Sequence, residues 1–290
     1  MKTISLSKPW LDTTAYPFDN KFLQLASGTM HYIDEGKGET ILFVHGTPTW
    51  SFLYRDLIKK LSNKYRCIAI DHLGFGLSEK SASFPGTPEW HSNNLSEFIK
   101  RLDLKDITLV VHDFGGPIGL SAGINAPDRI KRVVLYNSWL WATDQEKEIQ
   151  RIDKIVNSWL GRFLYLNLNF SPRVLLKKGF ENKQFLPKNI HQQYIKPFPT
   201  KKSRMSLLNL AKALAGSSKW YEEQWGQINL LANKQWLIIW GIRDQFITSK
   251  YLRKWQDRIP DAKTIEVDSG HFIQEEKPEE SMIAIDNFMT

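Results

Sequence analysis

The chain has 290 residues, of which 42% are hydrophobic and 24% charged, and its formal net charge is +8. This length can bury a large core, as one α/β domain or as a core with an insertion. No apolar run approaches the roughly 18 residues of a membrane span, and the N-terminal sequence lacks a signal-peptide core, so we expect a cytoplasmic protein without a membrane partner.

The predicted elements begin with a hairpin and continue as strands that alternate with helices. Residues 21–26 and 29–34 form the hairpin, with its turn at Ser27-Gly28. Between the later strands, residues 51–61 and 93–102 are amphipathic. The later strands are predicted at 40–44, 66–70, 107–111, 133–136, 235–240 and 264–267. This alternation predicts an α/β fold around a mostly parallel sheet.

A single cysteine, Cys67, lies in the predicted strand 66–70. It excludes an internal disulfide and fits a reducing compartment. We interpret Cys67 as a small buried hydrophobe rather than a reactive thiol.

The alternation stops for nearly a hundred residues after Tyr136. Residues 143–146 have the form of a capping box and precede an apolar stripe at helical spacing. The stripe consists of Ile149, Ile152, Ile155, Val156, Trp159 and Leu160. A further helix near 203–215 ends at Gly216. We therefore predict a core of residues 1–137 and 217–290, with a helical cap, residues 138–216, inserted over the carboxyl edge of the sheet.

Basic residues are concentrated between Ser171 and Arg204, where nine of them accompany one acidic residue, Glu181. We interpret this stretch as a solvated surface, with a positive field near an active-site entrance as the alternative. Lys and Arg are otherwise spread along the chain without a nucleic-acid motif, so no nucleic-acid partner is expected. The oligomeric state stays open between a monomer and a homodimer.

Two candidate nucleophiles lie within residues 110–123, VVHDFGGPIGLSAG. Asp113 stands where a predicted strand turns abruptly into a helix, which is the setting of a nucleophile elbow. Ser121 completes a G-x-S-x-G string but lies about two turns into that helix, so we interpret it as structural. With Gly119 and Gly123 it forms a small-residue face that lets the helix approach the sheet.

Asp113, Asp244 and His271 follow three separate strands, in the chain order nucleophile, acid, base. Because ligands of open α/β sheets bind beyond the carboxyl ends of the strands, these three side chains can converge. We predict that they form a catalytic triad.

Three segments at the strand ends resemble those of the haloalkane dehalogenases, which are α/β-hydrolases with an aspartate nucleophile, as are epoxide hydrolases. They are HGTPTWSFLYR at 45–55, DHLGFGLS at 71–78 and GHFIQEE at 270–276. The resemblance covers the chain from about Met30 onward and only loosely includes the cap. It implies an α/β-hydrolase fold with Asp113 as nucleophile, His271 as base and Asp244 as its acid partner. The family's alternative acid position is Asn137 here, which cannot act as a carboxylate.

An aspartate nucleophile suits displacement at saturated carbon, because a carboxylate is ionised at neutral pH and forms a stable alkyl ester. His271 would then activate water to hydrolyse the ester, with the backbone N–H groups of Thr47 and Phe114 as the oxyanion hole. The expected partners are therefore a small organic substrate and water. No metal or organic cofactor is required.

The substrate class stays open between halide and epoxide. Haloalkane dehalogenases typically carry Trp directly after the nucleophile, where this chain has Phe114, so a halide donor is missing. Thr47 or a cap tryptophan can offset this loss, with three candidates: Trp139, Trp141 and Trp159. Packing in the core is the alternative role for each of these tryptophans.

Epoxide hydrolases typically supply two cap tyrosines, for which Tyr165 and Tyr194 are available, although Leu210 occupies the expected position of the second. His112 is common in that group, and we expect it to pack. The predicted pocket residues are Trp50, Trp139, Tyr165 and Tyr194. A receptor-like protein without catalysis is the third alternative, and the complete triad argues against it.

Overall fold

Eight strands form one sheet in the computed structural model, which describes residues 8–290. They are β1 (Lys21–Leu25), β2 (Gly28–Glu35), β3 (Thr40–Val44), β4 (Arg66–Ile70), β5 (Ile107–Val111), β6 (Ile130–Tyr136), β7 (Gln235–Gly241) and β8 (Lys263–Val267). Their order is β1-β2-β4-β3-β5-β6-β7-β8. The β1–β2 and β2–β4 pairs are antiparallel, and the others are parallel. Each predicted strand is confirmed, and β6 begins three residues earlier than predicted.

The sheet is buried on both faces because helices cover each side. All five residues of β3 are buried: Leu42 and Val44 face the core layer beneath α2 (Pro88–Arg101) and α3 (Gly115–Ile124). Ile41 and Phe43 face the opposite layer beneath α1 (Arg55–Leu61) and the C-terminal helix (Pro278–Met289). Cys67 is free and lies in that second layer, as expected of a buried hydrophobe.

Helices occupy the long stretch between β6 and β7, where no strand interrupts them. They are α4 (Lys147–Asn157), α5 (Trp159–Leu168), α6 (Leu176–Lys178), α7 (Lys188–Ile195), α8 (Lys201–Gly216), α9 (Ser218–Gln227) and α10 (Asn229–Ala232). The chain ends with α11 (Ser249–Arg258), α12 (Ile273–Glu276) and α13 (Pro278–Met289). Among the helices of residues 8–290, none is long and apolar enough to cross a membrane.

The capping box predicted at 143–146 does not form. The Thr143 hydroxyl donates to the carbonyl oxygen of Leu214, 2.5 Å away, instead of accepting from the helix, and α4 begins only at Lys147. The apolar stripe is also divided between two helices. Ser158 has an extended backbone between α4 and α5, and its hydroxyl caps α5 by accepting from the Gly161 N–H.

Candidate active site

Asp113 occupies a strained turn between β5 and α3. Its φ is +54°, in the left-handed region that residues with a side chain rarely adopt and that typically costs about 1–3 kcal/mol. The turn is tight enough that a Cβ on Gly115 would lie 2.2 Å from the carbonyl oxygen of Val44, so only glycine fits there. Asp103, Asp106 and Asn169 also have a positive φ, so it is the strain together with the place of Asp113 at the end of β5 that supports a functional position.

Ser121 lies on α3, well past that turn. Its hydroxyl donates to the side-chain oxygen of Gln224 at 2.7 Å, so it is buried and already paired. The predicted small face is only partly as expected: Gly119 packs against Val111 of the sheet, whereas Ser121 faces α9. The different direction follows from the helical rotation of about 100° per residue.

The Asp113 carboxylate is held by donors on either side. The Thr47 backbone N–H donates to Oδ1 at 2.8 Å, and the Phe114 backbone N–H also stabilises the charge. Burial raises the pKa of Asp113, but its hydrogen bond to His271 and the charge of that imidazole outweigh burial and lower it. The carboxylate is therefore ionised at neutral pH.

His271 lies between two carboxylates, at the edge of the sheet where β5, β7 and β8 end. Its Nδ1 is 2.7 Å from Asp244 Oδ2, and its Nε2 is 3.5 Å from Asp113 Oδ2. Burial lowers the pKa of His271, but the two carboxylates together raise it to about 10. The structure thus brings the three predicted triad residues together, with the imidazole protonated in the resting state.

Asp244 is positioned by backbone donors and by Asn137. The N–H groups of Phe246 and Ile247 donate to its Oδ1, and the Asn137 side-chain amide donates to its Oδ2 at 2.9 Å. The Asn137 carbonyl oxygen accepts from the Gly241 N–H at 2.7 Å. Asn137 therefore holds the loop that carries the Asp244 carboxylate. The sequence pointed to Asn137 only because it stands at the alternative position of the acid.

The backbone of His271 is held as firmly as its ring. Its N–H donates to the carbonyl oxygen of Gly179 in the 138–216 segment, at 2.7 Å. His112 Nε2 donates to the carbonyl oxygen of His271 at 2.8 Å, and burial lowers the pKa of His112 to about 3, which keeps it neutral. His112 therefore does more than the packing that the sequence led us to expect.

Glu276 joins the base-bearing loop to the 138–216 segment. Its buried carboxylate accepts three backbone N–H groups: those of Gly270 and Glu181 at Oε1 and that of Asn182 at Oε2. Burial raises the pKa of Glu276. A Cβ on Gly270 would lie 2.4 Å from the Gly179 carbonyl oxygen, so the two segments are in close contact. No sequence pattern pointed to this contact, because its partners are about 90 residues apart.

A cavity of about 960 Å³ opens above Asp113 and His271. Helices α4, α5 and α8 contribute apolar side chains to its wall, and Trp139 and Tyr165 are among the lining residues. Trp50 and Tyr194, also expected in the pocket, are fully buried elsewhere. The Trp50 indole N–H donates to the Gln193 carbonyl oxygen, and the Tyr194 hydroxyl donates to the Glu275 carboxylate. The cavity does not include them because both are held in the core.

Two hydrogen-bond donors in the cavity wall have no partner among the described residues: the Thr47 hydroxyl and the Trp139 indole N–H. Other buried side-chain atoms also lack a partner, but these two donors line the cavity, where a substrate can meet them. The Trp139 ring packs against Phe114, with centroids 4.9 Å apart. Within residues 8–290, no group of three or more His, Cys, Asp or Glu side chains is placed to hold a metal ion.

The other two tryptophan candidates lie away from these donors. Trp141 packs among Trp225, Tyr251 and Trp255, outside the cavity wall. Trp159 is largely exposed at the start of α5.

Comparison with known proteins gives a consistent set of relatives. Residues 39–278 match the model of the alpha/beta hydrolase fold family. Haloalkane dehalogenase 2 of Mycobacterium tuberculosis is 31% identical over 277 residues, which cover 94% of this chain and 96% of that protein. The cis-3-alkyl-4-alkyloxetan-2-one decarboxylase of Shewanella oneidensis is 33% identical over 287 residues, which cover 96% and 90%. The crystal structure of the haloalkane dehalogenase DatA from Agrobacterium tumefaciens superposes with a TM-score of 0.84 at 26% identity, covering 93% and 95% of the two chains.

The Glu276→Gln variant should unfold at a lower temperature and lower the pKa of His271. An amide has one acceptor oxygen for three N–H groups and turns its own N–H group toward them, a loss of about 1–3 kcal/mol. As the loop loosens, His271 moves away from the carboxylate of Asp244. Thermal unfolding and a histidine NMR titration measure the two effects.

Glu279→Gln is the matched control, because Glu279 is exposed and three residues away. A lower unfolding temperature with an unchanged pKa of His271 would show that Glu276 stabilises the fold without positioning the base.

Proposed function

The chain is a haloalkane dehalogenase-like hydrolase of the α/β-hydrolase fold family, and we propose that it acts through an alkyl ester on Asp113. The observation that carries this proposal is the place of Asp113 at the cavity, on a strained turn, with its carboxylate 3.5 Å from His271 Nε2. Ser121 instead lies outside the cavity wall and is hydrogen-bonded to Gln224. We further propose that residues 138–216 act as the cap that closes the substrate cavity.

In the first step a carboxylate oxygen of Asp113 attacks the carbon that bears the halogen. The new C–O bond forms as the C–halogen bond breaks, and the halide leaves with the bonding electron pair. The halide takes no proton, so this step needs donors for the developing negative charge rather than an acid. We assign that role to the Trp139 indole N–H and the Thr47 hydroxyl, the two unpartnered donors of the cavity.

In the second step His271 takes a proton from water, and the oxygen of that water attacks the ester carbonyl. The oxyanion forms beside the Thr47 N–H, which already donates to Oδ1, and the Phe114 N–H, which also faces the carboxylate. Its collapse releases the alcohol and restores the Asp113 carboxylate. The 3.5 Å gap between His271 Nε2 and Asp113 Oδ2 is consistent with a water beside both groups.

Formation of the ester also prepares the base. His271 has a raised pKa because two carboxylates face it, and alkylation removes the charge of Asp113. The pKa of His271 therefore falls in the intermediate, and its proton can pass to solvent. The base is released at the stage at which it is needed.

Ring opening and decarboxylation of an alkyloxetan-2-one is a second candidate, favoured by the Shewanella relative. Asp113 would attack the saturated ring carbon that is bonded to the ring oxygen. The bond between that carbon and the ring oxygen would break, and the former lactone group would become a carboxylate. The C–CO₂ electron pair would then form an alkene and expel Asp113, which releases CO₂ without halide or water.

Epoxide hydrolysis has weaker support. Burial raises the pKa of Tyr165 to about 12, so its hydroxyl keeps a proton to donate, but it is one tyrosine rather than two. Tyr194 is committed to Glu275, and Leu210 is buried in the core.

The His271→Gln variant should accumulate a covalent adduct on Asp113 when it is incubated with the substrate class that the enzyme accepts. Intact mass and peptide mapping should be measured after separate incubation with haloalkanes, epoxides and alkyloxetan-2-ones. Persistence of the adduct with a haloalkane, together with halide release, supports dehalogenation. Release of CO₂ and alkene without need of His271 supports the second candidate.

Two matched variants identify the nucleophile in this experiment. Combined with His271→Gln, Asp113→Ala should form no adduct, whereas Ser121→Ala should form it normally. An adduct that maps to any residue other than Asp113 would overturn the mechanism.

Trp139→Phe should lower the rate of halide release about 10- to 100-fold, because a donor to a charged group contributes about 1.5–3 kcal/mol. The phenyl ring keeps the packing on Phe114 while the N–H is lost. Single-turnover halide release is the measurement, and Trp141→Phe is the control outside the cavity wall. Equal rates in the two variants would remove Trp139 from the leaving-group site.

Asp113→Asn should lower the pKa of His271 below the value of about 10 in the native enzyme. The substitution removes one of the two charges that favour the imidazolium, as alkylation would. A histidine NMR titration measures the pKa, with Asp268→Asn as control because Asp268 is exposed. An unchanged pKa in Asp113→Asn would contradict the proposed release of the base.

A further inference from the structure

The net positive charge of the chain lies in the cap, although Lys and Arg also occur elsewhere. Residues 138–216 contain 14 Lys and Arg and 5 Asp and Glu, a formal charge of +9, so the rest of the chain carries −1. A basic stretch that is only solvated does not explain why one part of the molecule carries its net positive charge. The asymmetry indicates that the cap faces something anionic.

Helices α4 and α5 of the cap expose a set of large apolar side chains, which we call the docking patch. It consists of Ile152, Ile155, Trp159, Leu160 and Phe163. Trp159 is 79% exposed, although tryptophan is usually largely buried in folded proteins. Contiguous exposed apolar side chains of this size mark interaction sites.

The docking patch is continuous with the mouth of the cavity. Ile152, Ile155 and Leu160 are partly exposed and also line the cavity above Asp113. An apolar molecule that leaves the patch therefore reaches the reaction site along an apolar wall.

Exposed cations accompany the docking patch on the same two helices. Arg151, Lys154 and Arg162 are exposed and form no ion pair with other residues of the described chain. Tryptophan and phenylalanine flanked by Lys and Arg are the composition of surfaces that insert into the headgroup region of anionic bilayers.

We propose that the docking patch binds the surface of a bilayer that contains anionic lipids, from which apolar substrates enter the cavity. A spanning helix is not required for such binding, so the lack of an apolar run, on which the expectation of no membrane partner was based, does not bear on it. A second copy of the chain fits less well, because a symmetric contact would bring Arg151, Lys154 and Arg162 near the same cations of the other copy. The docking surface is independent of the chemistry at Asp113.

The test is co-sedimentation of the full chain with vesicles of phosphatidylcholine alone and of phosphatidylcholine mixed with the anionic lipid phosphatidylglycerol. We expect binding to the anionic vesicles that weakens as salt screens the charges. Trp159→Ala with Phe163→Ala, and Lys154→Glu with Arg162→Glu, should each weaken binding about tenfold or more.

Matched controls change the core instead of the cap. Ile283→Ala removes an exposed apolar side chain, and Lys37→Glu with Lys100→Glu makes the same change in net charge. Both controls should bind like the native chain. All variants change exposed residues outside the cavity wall, and an unchanged unfolding temperature verifies their fold.

Three results would overturn the proposal: no binding to anionic vesicles, equal binding to both vesicle types, or equal loss in cap and core variants. Light scattering of the native chain and the Trp159→Ala, Phe163→Ala variant addresses the alternative occupant. A dimer that depends on these two side chains would assign the patch to a second copy. Failure of the vesicle test leaves adduct formation on Asp113 unaffected, so the two proposals fail separately.

Discussion

The placement of one imidazole between two buried carboxylates is the constraint on which the rest of the site depends. Taking Asp113 and Asp244 out of water is unfavourable, and each is stable here because a cation and several N–H groups face it. The carboxylates in turn raise the pKa of His271, so the three groups form one charge arrangement. Removal of any one of them leaves the other two in an environment that no longer suits their charge.

This charge arrangement explains why so much neighbouring structure fixes the loops around it. Asn137 holds the loop of Asp244, while Gly179 and His112 hold the backbone of His271. The Gly179 contact comes from the segment that also forms the cavity wall. If residues 138–216 act as the proposed cap, these hydrogen bonds connect the wall of the cavity directly to the backbone of the proposed base.

The sequence was sufficient for features that depend on local pattern and chain order. Each strand was predicted from its sequence pattern. Because sites of such sheets lie beyond the strand ends, the chain order was enough to predict that Asp113, Asp244 and His271 converge. The sequence was not sufficient to predict side-chain positions that depend on contacts between residues far apart in the chain. Trp50 and Tyr194 are aromatic residues in plausible places, yet their N–H and O–H groups bond to Gln193 and Glu275, over 80 residues away in each case.

Local pattern and long-range packing also divide the proposed chemistry from the choice of substrate. The turn at Asp113 and the N–H groups beside it stabilise a carboxylate and an oxyanion whatever group departs. In the proposed mechanism the leaving group instead meets the side chains around Trp139, which packs on Phe114. A tryptophan directly after the nucleophile would place an indole N–H on the core; here that donor lies on Trp139, three residues after β6, where the cap begins. Substitutions at Phe114 and Trp139 can therefore change selectivity for the leaving group without a change in the residues of the triad.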